Sequence, residues 1–395
     1  MRNKIAAILN LVEDSKDLRP LTQNRPVASL PFACRYRLID FPFSALYNAE
    51  VNSAALFISE SGHSLYDHIR SGANWGLDSP VGGGVFTHSQ IELKTLRAER
   101  DEEFNITYFD NHRKYVQKSK ADYVLLCGSN MLSNISLNAI LQYHQEKNAD
   151  ITAAFKKVSR KALKKDTETF AYYFDGNEDD YLSKMEKMSE VPYEDKTVSL
   201  GMNYVIMGKE VFNRYLKKAE EGNSRIDGNT FLRYSLENGD KAYGYEYTGY
   251  LKSIEDIPSY FEANMEILEE KNFNALFYRN DPIITRPRHG APTYYGPNAV
   301  VNNALIASDC EIYGKVENSL LYRQTKIRED TEVSCSIIMH GTKIGKNCYL
   351  KYVILDKNIK VGDNVHLEGT REKPLVFKKG DTIESGKVIR EGSKI

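Results

Sequence analysis

The chain has 395 residues, with 53 Lys+Arg against 54 Asp+Glu and a formal net charge of −1. That balance gives no bulk basic field for nucleic acid, and the length allows two domains, each with its own core. Five cysteines (Cys34, Cys127, Cys310, Cys335, Cys348) lie scattered without C-x-x-C spacing, which excludes a disulfide framework and a zinc ribbon and predicts a reduced, cytoplasmic protein. Neither a signal-peptide pattern nor an apolar run of membrane-spanning length is visible, so no membrane partner is expected.

In chain order, Ile5–Leu11 is an apolar run with the length and composition of a buried parallel strand. A strand running into a loop at the start of an α/β domain is where such folds bind nucleotides. Phosphate-cradling loops need glycine, because backbone N–H groups must approach the oxygens closely. No glycine occurs between Met1 and Ser61. Further strands are predicted over Asn52–Ser59, Ala121–Cys127, Ile151–Val158 and Val198–Met207. A helix is predicted over Ile135–Lys147, with Ile135, Ala139, Ile140 and Tyr143 on one face. Gly72–Gly84, with five glycines, a proline and the only tryptophan, reads as a long surface loop of function or disorder.

Composition shifts after Lys271, and Asp281–Pro297 holds four prolines, as an irregular linker does. Beyond it apolar residues recur every sixth position: Ile327, Val333, Met339; Ile338, Ile344, Leu350; Val353, Ile359, Val365; Leu355, Val361, Leu367. Such rows, with Gly, Asn and Asp between them, predict short strands wound into a parallel β-helix. The fold class is therefore α/β, a mixed-sheet domain over 1–270, a linker over 271–297 and a β-helix over 298–395. Acyltransferases also use such helices, with a histidine as base. His340 and His366 lie in the repeat, but no second half of an acyl-transfer site accompanies them, and the repeat reads as structural, regulatory and oligomer-forming.

Leu18, Leu21, Thr22, Arg25, Pro31, Phe32, Tyr36, Arg37, Ile39, Asp40, Phe41 and Pro42, followed by Gly62-His63-Ser64-Leu65 and His68-Ile69, resemble the glucose-1-phosphate adenylyltransferase (ADP-glucose pyrophosphorylase) family of bacterial glycogen synthesis. The resemblance runs the length of the chain. It implies a Rossmann-like nucleotidyltransferase domain, a left-handed hexapeptide-repeat β-helix, and a reaction joining glucose 1-phosphate to the α-phosphate of ATP with release of pyrophosphate. The family's first motif, G-G-x-G-T-R, is missing: Val12, Glu13, Ser15 and Asp17 stand there. In this the chain is similar to the non-catalytic, GlgD-type partner subunit.

Transfer of this kind rests on a divalent cation, cationic side chains and backbone donors. One metal aspartate of the family follows a buried strand; here the place after Gly128 is Ser129. The second falls on Ser253, where a one- or two-residue shift would bring Glu255 or Asp256 nearby, and Asn105-Ile106-Thr107-Tyr108 occupies the region of G-T-A-D-A. Glu13, Asp14 and Asp17 sit where a triphosphate would lie; two like charges about 4 Å apart repel by roughly 4 kcal/mol at an effective dielectric of about 20. The degenerate positions are thus Asp17, Ser129 and Ser253, with no catalytic residue, metal or cofactor of the chain's own, magnesium being expected in the catalytic partner. Arg25, Arg35 and Arg37 suit a phosphorylated-sugar effector, or else ion-pair to Asp40 or helix ends. Lys187, in Glu186-Lys187-Met188, stands near the family's sugar-phosphate lysine. The expected partner is a catalytic glucose-1-phosphate adenylyltransferase subunit in a heterotetramer. Two rivals remain: an active enzyme with an atypical phosphate loop using Glu255 or Asp256, and a sugar-phosphate-sensing module.

Overall fold

The computed structural model describes residues 5–11, 16–58, 62–78, 83–89, 104–164, 167, 169–176, 180–194, 196–279 and 281–392. They form two compact units interleaved in sequence. The first contains the N-terminal strand, Ile39–Leu251 and Arg279–Ile284; the second contains 16–38, Lys252–Tyr278 and Thr285 onward.

The first unit is built on a mixed sheet with nine strands among the described residues: β1 (Ile5–Leu11), β2 (Ser53–Ile58), β3 (Gly84–Ser89), β4 (Tyr123–Cys127), β5 (Ile151–Ser159), β6 (Phe170–Phe174), β7 (Leu182–Lys187), β8 (Thr197–Gly208) and β9 (Ala242–Glu246). Their order is β7-β6-β8-β4-β1-β2-β3, with β5 pairing β8 and β9. All seven residues of β1 are buried, and it pairs in parallel with β2 and β4, which is why its sequence is apolar on both faces. Strand β8 runs antiparallel to β4 and β5 and makes the sheet mixed. Helices α1 (Asp40–Asn48), α2 (His63–Ile69), α3 (Phe104–Ser119), α4 (Leu137–Glu146), α5 (Lys209–Glu221) and α6 (Gly228–Asn238) belong to this unit. Phe212, Tyr215, Leu216 and Ala219 form the buried stripe of α5 at i, i+3, i+4, i+7. They pack with Phe109 and Val116 of α3 and with Ala6, Ile8, Val124 and Leu126 of the sheet. Helix α4 starts two residues later than its periodicity predicts, because Ser136 caps it by accepting the Ala139 N–H at 3.4 Å.

The glycine-rich stretch differs from its reading as a surface loop. Trp75 is fully buried, lies edge-on to Phe43 with centroids 5.3 Å apart, and donates its indole N–H to the Ile284 carbonyl at 3.1 Å. Residues 79–82 of that stretch lie outside the described residues. The start of the proline-rich linker is pinned as well: the Ile284 N–H donates to Ser44 Oγ at 2.8 Å and Asn48 donates to the Pro282 carbonyl at 3.1 Å. Asp40, named above as one possible partner of an arginine, is buried against His68, 2.5 Å away.

The second unit carries the parallel β-helix. Three sheets, with six, six and five strands among the described residues, each pair the same face of successive coils. One inward column runs Val316, Val333, Leu350, Leu367, another Ile312, Ile327, Ile344, Val361, a third Leu321, Ile338, Leu355. A step of six along the chain moves from one face to the next, so Ile338, Ile344 and Leu350 are one per sheet. The row Val353, Ile359, Val365 is also buried and fills the corners. Asn303, Asp309, Asn318, Asp330, Asn347, Asn358 and Asn364 turn these corners with positive φ, a conformation that short polar side chains tolerate better than branched ones.

Buried hydroxyls tie one coil to the next at the corners. Ser319 Oγ accepts the Ser336 N–H, and Ser336 Oγ accepts the Val353 N–H, each at 3.1 Å, while Ser336 Oγ donates to the Ser334 carbonyl at 2.7 Å. Thr331 accepts the Cys348 N–H at 3.0 Å in the same way. Replacing Ser336 with Ala removes a donor and an acceptor at a fully buried position and leaves the Val353 amide without its acceptor. The expected loss is about 1–3 kcal/mol, read from denaturant unfolding of the variant against the parent; an unchanged midpoint would mean the ladder contributes nothing.

Candidate functional site

In open α/β sheets ligands collect beyond the carboxyl ends of the parallel strands, here β1, β2 and β4. Residues 12–15 after β1, including Glu13 and Asp14, lie outside the described residues. Strand β4 ends at Cys127, and Ser129, two residues on, is 3% exposed. Tyr204 of β8 pairs with Cys127, which sets Asn203 beside Gly128 at the same end of the sheet. Asn203 holds a positive φ of 58° at an irregularity in β8 and accepts from Asn229 Nδ2 at 3.0 Å. The Tyr172 hydroxyl donates to Asn229 Oδ1 at 3.3 Å, and Asn10, near the end of β1, donates to the Ile226 carbonyl. Asp227 is engaged as the cap of α6, accepting the Thr230 N–H at 2.8 Å. Asp227 aside, the described part of this rim presents amides and hydroxyls, which can hydrogen-bond a sugar but carry no formal charge. Lys187 is exposed at the end of β7, the outermost strand on its side.

The second unit holds the other degenerate positions. Ser253 Oγ donates to Glu255 at 2.6 Å. Asp256 caps helix α7 (Ile257–Glu266): its carboxylate accepts the Ser259 N–H at 2.8 Å, and Ser259 Oγ accepts the Asp256 N–H at 3.0 Å. Asp256 thus serves the N-terminus of α7. Asp17 is exposed on a short 3-10 turn, Lys16–Leu18.

The cations of the same unit converge. Pro31-Phe32 and Tyr36-Arg37 form a two-stranded hairpin with Pro31 opposite Arg37. Its turn is held by Asn264 Oδ1, which accepts the Ala33 N–H at 3.1 Å; the Tyr260 hydroxyl donates to the Pro31 carbonyl at 2.5 Å, and Tyr36 stacks on Phe277 of α8 (Glu270–Phe277) at 4.9 Å. Arg37 is thereby buried. Arg25, 6% exposed, donates to Asp356 Oδ1 at 3.0 Å, and that oxygen also accepts the Lys357 N–H at 2.8 Å. Arg25 Nε is buried with no hydrogen-bond partner among the described residues. Burial, then the charges of Arg37 and Arg25, hold the Lys357 ammonium down to a pKa of about 7, against an opposing pull from Asp356. His340 is likewise depressed, by burial and then by Lys357, Arg323 and Arg288. Among the described residues, Arg25 and Arg37 act on Lys357 in one sense and the Asp356 carboxylate in the other, a gathering of positive charge of the kind that attracts anions.

Of the cationic residues singled out from sequence, Arg25 and Arg37 both act on Lys357, Arg35 is exposed with its guanidinium 5.8 Å from the Tyr36 ring centroid, and Lys187 belongs to the other unit. Sequence reading missed Asp356 and Lys357 and weighed His340 for another chemistry. The usable signal was a charged pair directly after the inward residue Leu355 of the repeat.

Residues 15–270 match the family model described as nucleotidyl transferase, and residues 293–373 match that of the GlmU-like C-terminal hexapeptide. The chain is 30% identical to the glycogen biosynthesis protein GlgD of Bacillus subtilis over 381 residues, 96% of each chain. It is 26% identical to the glucose-1-phosphate adenylyltransferase of Acetivibrio thermocellus over 417 aligned positions, covering 100% of this chain and 92% of that one. With the enzyme of the same name from Clostridium novyi it shares 27% over 318 residues, 78% of this chain and 79% of the other.

Ala33 and Cys34, which follow Pro31-Phe32 where the adenylyltransferase motif has two glycines, hold φ of 46° and 60°. A side chain in this region costs roughly 1–2 kcal/mol, part of which a glycine returns to the unfolded state. Ala33→Gly is therefore expected to raise stability by about 0.5–1 kcal/mol in thermal unfolding, and a loss of stability would show that no strain is stored at the turn.

Proposed function

This chain belongs to the glucose-1-phosphate adenylyltransferase family of nucleotidyl transferases, and we propose that in glycogen biosynthesis it serves as a catalytically deficient regulatory subunit. In this reading it pairs with a catalytic paralogue, in a heterotetramer with two of each, and tunes the paralogue's synthesis of ADP-glucose and pyrophosphate from ATP and glucose 1-phosphate. The observation that carries the reading is Ser129: a buried hydroxyl closes β4 where the chemistry requires a carboxylate. A neutral hydroxyl supplies no charge to hold a divalent ion against phosphate oxygens. Of the two candidate substitutes for the second carboxylate, Asp256 caps a helix and Glu255 accepts from Ser253.

Regulation by such a subunit acts as a coupling free energy on states its partner already samples. The phosphorylated-sugar effector would sit against Arg25, Arg37 and Lys357, where Arg25 Nε has no hydrogen-bond partner among the described residues and the cationic side chains gathered near Asp356 favour phosphate. In the other unit, the amides of the β4 end would remain able to meet a sugar without turning it over.

The purified chain is expected to make no ADP-glucose from ATP, glucose 1-phosphate and magnesium, and to shift the turnover or effector response of the catalytic paralogue when the two are mixed. Ser129→Asp alone is expected to restore nothing, since the glycine loop stays absent. Robust turnover by the chain alone, or unchanged kinetics of the mixture, overturns the proposal.

The cationic cluster has a pH signature. With its pKa near 7, Lys357 is largely neutral at about pH 8 in the free protein; a bound phosphate favours the charged form, so binding takes up a proton and weakens as pH rises. Calorimetric titration of fructose 1,6-bisphosphate in buffers of different ionisation enthalpy should show uptake approaching one proton at about pH 8, fading below about pH 6, and absent in Lys357→Arg. Binding with no proton uptake would remove Lys357 from the site.

A further inference from the structure

A second cavity, of about 290 Å³, lies in the first unit between the edge strand β3 and helix α3. Its walls are aromatic. Phe86, on the outermost strand, is 43% exposed and faces Tyr115 with ring centroids 5.7 Å apart. His88, two residues along the same strand, stacks on Phe57 at 4.9 Å. Burial lowers the His88 pKa, so its imidazole meets the cavity as a neutral, flat surface. The Tyr115 hydroxyl is already used, donating to the Ser53 carbonyl at 3.1 Å, and leaves only its ring as lining.

The mouth has the opposite character. Lys114 and Lys118, four residues apart on α3, line it and are exposed, and Asn111 lies one turn earlier on the same face. Neither lysine has a carboxylate within ion-pair distance among the described residues. An apolar, ring-walled interior behind two uncompensated ammonium groups selects for a molecule that is flat and apolar at one end and anionic at the other. The size agrees: a cavity of about 150 Å³ takes benzene, so roughly twice that volume accepts a substituted ring.

We propose that this cavity binds a small aromatic anion, its ring entering among Phe86, His88 and Tyr115 and its carboxylate or phosphate resting between Lys114 and Lys118. The cavity belongs to the first unit, independent of the cation cluster around Arg25 and of whether the chain catalyses anything.

The test is fluorine NMR titration of the full chain with 4-fluorobenzoate, 4-fluorophenyl phosphate and the neutral 4-fluorobenzamide. One or both anions should bind with a dissociation constant of about 1 mM or tighter, and the amide at least about tenfold more weakly. The preferred arm tells a carboxylate from a phosphate ligand. Lys114→Glu/Lys118→Glu changes only exposed side chains and should weaken the anions by about tenfold or more with unfolding temperature unaltered. Asn111→Trp, which fills the mouth, should abolish binding. No binding by either anion, equal binding of the amide, or binding that survives both variants overturns the assignment. Effector binding at the Arg25 cluster, followed in the same variants by calorimetry, should be unchanged, so failure here is separable from failure of the regulatory reading.

Discussion

The ion pair between Arg25 and Asp356 is the constraint from which the functional half of the second unit follows. Both groups are buried and they are 331 residues apart in the chain. Desolvating two charges costs several kcal/mol, and the mutual attraction offsets this only when the remaining polar atoms are also bonded. On Asp356 the paired oxygen takes a second hydrogen bond from the Lys357 amide, whereas Arg25 Nε has no hydrogen-bond partner among the described residues. Arg37 and Arg25 both act on Lys357, and burial together with these charges lowers its hold on a proton.

The catalytic end of the sheet has moved the other way. Strand β1 remains a fully buried parallel strand between two others, and β4 still leads into Gly128 and the buried Ser129. At that end Asn203, Asn229 and Tyr172 bond one another through neutral hydrogen bonds. Polar groups that bond each other in this way need no ion to pay for their burial. The described sheet end is therefore held by bonds among its own residues, as the regulatory reading proposed above requires.

Strand β1 and the six-residue rows were legible because each obeys a single period and is buried throughout, and the strands around Ser53–Ile58 and Tyr123–Cys127 follow closely. Trp75 was not legible: five nearby glycines suggest solvent, yet its indole is buried and bonded to Ile284, 209 residues away. The Asp40–His68 and Arg25–Asp356 pairs failed for a similar reason, as charge complementarity does not say which of many partners lies close in space. Nor does composition reveal that Ala33 and Cys34 adopt a left-handed backbone. In the β-helix the apolar column could be read, whereas the Ser319–Ser336 ladder could not, because small hydroxyl residues are equally common in exposed turns.

These failures share a physical origin that bears on function. Periodic burial is a local property, so it fixes the elements; the cation cluster arises only when the Tyr36-Arg37 hairpin, docked on Tyr260, Asn264 and Phe277, shares a compact unit with the corner after Leu355. An anion bound there would touch residues from both ends of the sequence at once. It would hold the hairpin to the β-helix by charge in addition to packing, and its effect would grow with the fraction of Lys357 that is protonated. Occupancy of the cluster and order of the hairpin would then be one equilibrium, linking a bound ligand to the state of the fold.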